Sequence, residues 1–317
     1  MPSRGGSQSR KAVLQRWMLF GFFILTVLGV LMPRGPRSLA MQTMAFCIFA
    51  MAYDLCFGYT NQCSLGHSVF FGVGAYGVVL SLLHLQSGIL LGLLIAFVAG
   101  MVVAFLMGSI CVRLTEAYFV IVTALFSAIF HLLSLDMTWL TGGDDGLSVT
   151  LPDISVGGVR LSLYDPMTNY YFILVFFLAS YLLMRRITEA PLGKVFISIR
   201  ENEKRAAFLG YDPFRYKLAA FVLSGAFTAL AGSIYALTLR YATADLFGLY
   251  WSIIPIVWCL IGGVGTLVGP CIGVALMFFF QYYVSAWWTH YLILFGVLIL
   301  VILRTSRKGL LGYLLGR

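Results

Sequence analysis

The chain has 317 residues, of which 61% are hydrophobic and 10% charged, and its mean hydropathy is +0.94. A soluble domain carries about 25% charged residues, so the composition excludes a soluble protein and points to an all-α polytopic membrane protein with no separate soluble domain. The net charge of +9 is no nucleic-acid footprint, because most of the 21 Lys and Arg fall in three segments that the positive-inside rule reads as cytoplasmic.

The first of these is the tail 1–16, with Arg4, Arg10, Lys11 and Arg16. The run WMLFGFFILTVLGVLMP (17–33) reads as the first span. Ser38-Leu39-Ala40 offers small residues to a signal peptidase. The run exceeds the usual ~7–15 residue signal core, however, and many spans follow, so a retained helix is the reading. Further spans are predicted at 38–57, 66–85, 88–111, 117–138, 169–187, 216–239, 246–262, 268–285 and 289–303, about ten in a membrane domain covering 17–303. A second basic tail, 304–317, closes the chain. With the N-terminus inside, ten spans place all three basic segments in the cytoplasm.

Directly after the second span comes GYTNQCSLGHSVFFGVGAY (58–76), rich in glycine and polar groups. Irregular backbone at membrane depth survives only where protein or a water-filled cavity covers it. Asn61, Gln62, Ser64, Gly66 and His67 are therefore candidates for a translocation path, or for capping freed backbone groups. Gly72, Gly74 and Gly77 suit close helix packing, as do Ser224, Thr228 and Gly232 at four-residue spacing. Asp54, Glu116 and Asp136, near span ends, are read as reaching for the interface, and Tyr250, Trp251, Trp287 and Trp288 as interface anchors. The six cysteines have no paired spacing and read as small apolar residues.

Residues 139–168 form an external loop carrying Asp144, Asp145, Asp153 and Asp165 against Arg160. Its alternating ISVGGVRLSL predicts a β-hairpin turning at Gly157-Gly158, and its acidity suits either a plain connector or a basic partner. The segment EAPLGKVFISIRENEKRAAFLGYDPFRYK (189–217) is cytoplasmic. Within it one short helix is predicted to stop at Gly210, either as a solvated surface helix or as a handle seated in a groove of another protein. CLIGGVGTLVGPCIG (259–273) is a second glycine-broken stretch, and adds Gly262, Gly263, Gly265, Thr266 and Gly269 to the path candidates. Two such stretches, one in spans 2–5 and one in spans 7–10, suit an inverted repeat around a central path. No catalytic constellation, nucleotide-binding motif or metal-ligand spacing is present in the sequence, so the chain reads as a transport protein and not an enzyme. A stand-alone proton-coupled secondary transporter, a channel and a membrane scaffold remain as rivals at this point.

The motifs NQCSLGHSVFFGVGAYG, TGGDDGL, PLGKVFISIRENEKRAAFLGYDPFRYKLAAFVLSGAFTALAGSIYA and LIGGVGTLVGPCIG resemble the permeases of branched-chain (hydrophobic) amino acid ABC importers, in particular the longer, LivM-type subunit. The likeness runs in order from about residue 40 to the C-terminus. It implies a bacterial inner-membrane complex: a second homologous permease, two cytoplasmic ATPases that bind the ATP and Mg, and a periplasmic substrate-binding protein. Under the same resemblance Arg200, Glu201, Asn202, Glu203, Ala206, Ala207 and Gly210 match the family's ATPase-coupling segment (189–215). The implied activity is import of branched-chain amino acids, or of urea, short amides, aromatic or other small acids, with no cofactor and no metal in this chain.

Overall fold

The computed structural model describes residues 33–156 and 159–285, together with Gly29, Ile293 and Gly296. Apart from those single positions and Pro33, the spans predicted at 17–33 and 289–303, and both basic tails, lie outside the described residues. So do Trp287 and Trp288.

Six helices are long and apolar enough to cross a bilayer: α1 (Arg34–Thr60), α2 (His67–His84), α3 (Ile89–Cys111), α4 (Glu116–Asp136), α6 (Pro166–Glu189) and α9 (Pro213–Leu239). Each coincides with a predicted span to within about four residues, and the chain is a multi-pass membrane protein. A single turn, α5 (Thr138–Thr141), opens the external loop. Four short strands follow in chain order: β1 (Leu147–Ser148), β2 (Ile154–Val156), β3 (Val159–Leu161) and β4 (Tyr241–Ala242). β2 and β3 pair antiparallel with Val156 opposite Val159, the register of the expected hairpin. Two shorter apolar helices, α10 (Tyr250–Gly262) and α11 (Gly269–Ser285), complete the bundle.

α9 is the central post, packed along α1, α2 and α3. α1, α2 and α9 are largely buried, whereas α3 and α4 turn Leu90, Leu94, Phe105, Ile121, Ile129 and Leu132 outward, as lipid-facing helices do. Lipid gives helices no hydrophobic reason to associate, so close contact and hydrogen bonds must hold them. Gly74 and Gly232 do this for α2 and α9. A Cβ at Gly74 would strike the Ala229 carbonyl, and one at Gly232 the Phe71 carbonyl. In both places the atoms struck are backbone, so neither can give way. Gly74→Val is expected to separate the two helices at a cost of about 3 kcal/mol or more, and to leave little monodisperse protein in detergent size-exclusion chromatography.

The connections sort to two ends. At one end Asn61 Nδ2 donates to Glu116 Oε1 at 3.3 Å, and Arg113 lies 4.9 Å over the Phe214 ring. Arg200 Nη1 donates to the Gly58 carbonyl at this same end. At the other, Tyr241 Oη donates to the Asp145 carbonyl, β1 pairs with β4, and Arg240 lies 4.2 Å over the Tyr164 ring. These are the groupings that the alternating span order requires from 34 to 285.

The structure departs from the sequence reading in four places. The helix expected to run to Gly210 is two helices, α7 (Pro191–Glu201) and α8 (Glu203–Phe208), because Asn202 is extended and its side chain accepts from Arg205 N at 2.9 Å. A side chain that caps locally offers the backbone an alternative to continuing the helix. The span expected at 246–262 starts only at Tyr250 and is 13 residues long, about 20 Å at 1.5 Å per residue, short of a ~30 Å core. Trp251 is no interface anchor: its ring stacks at 5.5 Å on Phe46 and 5.4 Å on Phe71. Asp54 does not reach for the interface either, since it is fully buried.

Candidate functional site

Asp54 lies in the last turns of α1 and is the key to the end of the bundle where α7 sits. Its Oδ1 accepts from Gly265 N at 2.7 Å and its Oδ2 from Leu267 N at 3.0 Å. Both amides belong to the loop 263–268 between α10 and α11, where Gly263, Gly265 and Leu267 all have positive φ. Val268 N pairs within the loop, with the Thr266 carbonyl, and a carboxylate from another helix takes two of the remaining amides. Thr266 Oγ1 donates to the Gly263 carbonyl at 2.7 Å and accepts from Gly269 N at 3.0 Å, and Gly262 packs on the Gly269 carbonyl. One turn below Asp54, Gly58 lacks the Cβ that would meet Gly265 N. Its carbonyl accepts from Arg200 Nη1, which also sits where a side chain at Gly265 would lie. One carboxylate and one guanidinium thus join both glycine-rich stretches to α7.

Of the polar residues 61–67, Gln62, Ser64 and His67 are buried and Asn61 is exposed. Asn61 ends α1 in the left-handed conformation. Gln62 is buried with Oε1 accepting from Thr60 Oγ1 at 3.0 Å, and Ser64 Oγ accepts from Gly66 N at 3.2 Å. Gly66 faces the Thr123 carbonyl. His67 is fully buried, its Nε2 2.8 Å from Ser224 Oγ, which donates to the Ala52 carbonyl. That leaves Ser224 to accept, so Nε2 carries the ring hydrogen, and Nδ1 has no partner among the described residues. These five candidates lie in or beside the turn between α1 and α2, where Ser64 Oγ takes a freed backbone amide.

α7 buries Gly193, Val195, Phe196 and Ile199 against the bundle. Of the candidate coupling residues, Ala206 is buried while Arg200, Glu201, Asn202, Glu203, Ala207 and Gly210 are exposed. Lys217 Nζ pairs with Glu203 Oε2, and Gly210 has φ +90°. Two apolar residues stand out, Leu209 and, passed over in the sequence reading, Phe208: Phe208 is 91% and Leu209 72% exposed. A groove of about 300 Å³ runs beside them, lined by Lys194, Val195, Ser198, Tyr211 and Tyr216 among others.

At the opposite end the chain dips back into the bundle. After β4 a 3₁₀ turn, Ala244–Phe247, places Phe247 against Gly72 and Tyr76 on α2. The Phe247 carbonyl accepts from Ser68 Oγ at 2.9 Å and from Ser127 Oγ at 2.8 Å, and His131 Nδ1 meets the Ala244 carbonyl at 3.0 Å. Ser252 Oγ accepts from Ser68 N at 2.9 Å. Ser68, Ser127 and His131 serve carbonyls that the dip leaves outside a long helix, which is how non-helical backbone persists inside a membrane bundle. Above the dip opens a cavity of about 410 Å³ whose wall includes His131, Tyr235, Thr243, Asp245, Tyr250 and Trp251. TGGDDGL roofs this region: Gly142, Gly143 and Gly146 have positive φ, and a Cβ at Gly146 would strike the Ala242 carbonyl. At the loop's far end Asp165 caps α6, accepting from Thr168 N at 3.1 Å and Thr168 Oγ1 at 2.9 Å, and these bonds hold its carboxyl below the usual carboxylate range.

The chain is 26% identical to the high-affinity branched-chain amino acid transport system permease protein LivM of Salmonella typhimurium, over 98% of this chain and 77% of that protein. It is 27% identical to the protein of the same name from Escherichia coli, over 84% of this chain and 67% of that one. A probable branched-chain amino acid transport permease protein LivM of Methanocaldococcus jannaschii is 29% identical over 41% of this chain and 42% of its own. No solved structure gives a significant match. The family described as branched-chain amino acid transport system / permease component matches residues 35–303, which takes in every helix above but α1's first residue, and the chain belongs to that family.

Proposed function

We propose that this chain is the membrane-spanning permease subunit of an ATP-driven importer, moving branched-chain or other hydrophobic amino acids, or a related small polar solute, inward by alternating access. It works in the bacterial inner membrane with both termini cytoplasmic. Its partners are a second homologous permease, a periplasmic binding protein and two cytoplasmic ATPases that hold the ATP and Mg. Supporting this are the family membership and the three basic segments that the positive-inside rule assigns to the cytoplasm. The observation that carries it is the path from α7 to the loops: a force on the 191–210 segment reaches Gly58 through Arg200 and, through α1, the Asp54-held loop 263–268. Phe208 and Leu209 are the apolar knobs offered to an ATPase groove, ringed by the charges of Lys204 and Arg205.

Gly210→Pro and Glu203→Arg alter the handle, the second also breaking the Glu203 pair with Lys217 near the start of α9. Both variants are expected to leave folded protein in the membrane while uptake falls at least several-fold per molecule of ATP hydrolysed. Normal uptake with normal coupling in both would sink the assignment. The direct test is to tag the chain at its native locus, extract it in mild detergent and identify its companions by mass spectrometry. Two ATP-binding proteins and a second permease are the expected result. A chain that emerges alone, with uptake that follows the proton gradient and not ATP, would replace the importer with a secondary transporter.

A further inference from the structure

Building on the importer reading, we infer that the cavity above the 244–249 dip is a binding site for the ammonium end of a transported amino acid, with Asp245 as its counter-ion. Two observations lead there. The cavity, at about 410 Å³, lies in the range of small-ligand sites. The exposed carboxylate of Asp245 is the single formally charged side chain among its described lining residues, and makes no hydrogen bond or ion pair among the described residues.

The chemistry selects the occupant. A carboxylate set among aromatic faces attracts a cation both as a counter-ion and through the ring quadrupoles. Tyr235, Tyr250 and Trp251 supply those faces, together with apolar wall for a hydrocarbon side chain. An anionic acid would meet Asp245 as a like charge, and a neutral amide would forgo the ion pair. Within the solutes open to this family, the cavity favours zwitterionic amino acids over carboxylic acids and ureas.

Thr243 and Leu249 both line the cavity, so Thr243→Cys can be labelled there with a thiol reagent, in membranes holding the full complex. The parent chain serves as the background for the native cysteines. Isoamylamine, which is leucine without its carboxylate, is expected to protect this cysteine at least tenfold better than 4-methylpentanoate, which is leucine without its ammonium. Adding Asp245→Asn is expected to remove that preference. Equal protection by amine and acid, or a preference unchanged by Asp245→Asn, would overturn the site. If Thr243→Cys does not fold, Leu249→Cys reads the same wall. Labelling needs neither ATP nor partner subunits, so the two readings fail separately. Amine-selective protection in a chain that purifies alone sinks the importer and leaves the site standing, and unselective protection in a chain that brings its ATPases does the reverse.

Discussion

Asp54→Asn is expected to lower uptake more than tenfold and to reduce the melting temperature of the purified protein by about 5 °C or more. The substitution keeps the shape of the side chain and changes one oxygen into a donor. Only one of the two amides, Gly265 N and Leu267 N, can then find an acceptor, and the other faces an NH₂. A buried donor left without a partner costs about 1–3 kcal/mol, and more where the lost partner was charged. At about 2–4 °C of melting temperature per kcal/mol for a chain of a few hundred residues, this gives the expected shift. Asp54→Glu does not rescue it, because the fully buried site has no room for another methylene. The loop 263–268 would lose its fixed conformation, and with it the contact that carries motion from α1 to α10 and α11. A variant that melts and transports like the parent would mean the loop holds itself without Asp54. Fluorescence-monitored melting and uptake on the same preparation decide between the two.

Asp54 was visible in the sequence, and its surroundings were not. In AMAYDLCFG a lone carboxylate follows ten apolar residues, which is the ordinary signature of a functional group inside a membrane. Its nearness to a predicted span end suggested an interfacial role instead. Nothing in the local sequence says that the amides it serves lie more than two hundred residues away. The long helices were legible because a ~20-residue apolar run has few alternatives in a bilayer. The packing of Gly74 against Ala229 and of Gly232 against Phe71 followed from small residues at helical spacing, though the partners did not. The dip at 244–249 left almost no local trace. Gly248 and Asp245 are weak signals by themselves, and the serines that stabilise the dip, Ser68 and Ser127, sit on α2 and α4 and read as ordinary polar positions. The hydroxyls and the carbonyl they serve meet only in the folded bundle. In the same way, Asn202 reads as one more polar residue in a helix, and it becomes a cap only because the chain there turns extended.

Arg200→Ala is expected to leave the folded protein and its partners intact while lowering uptake about tenfold or more per ATP hydrolysed. Arg200 is an exposed residue, and Phe196 and Ile199 keep α7 seated without it. What is lost is the charge-assisted bond from Nη1 to the Gly58 carbonyl, of the kind worth about 1.5–3 kcal/mol. If that bond forms in one transport state and breaks in the other, its whole value biases the equilibrium between them. A difference of 1.4 kcal/mol is about tenfold, so the loss suffices for the expected effect while ATP hydrolysis continues. Arg200→Lys separates charge from geometry. Lysine keeps the cation but has no planar fork to fill the space that the absent side chain of Gly265 leaves beside Gly58, so partial recovery is expected. Full recovery by lysine would reduce Arg200 to a point charge. Uptake equal to the parent in Arg200→Ala would mean that force from the cytoplasmic handle enters the bundle elsewhere, through the buried face of α7 itself. Reconstituted transport and ATP hydrolysis measured side by side read both outcomes, and the Asp54 variant is the control, since it loses stability as well as uptake where the Arg200 variant loses uptake alone.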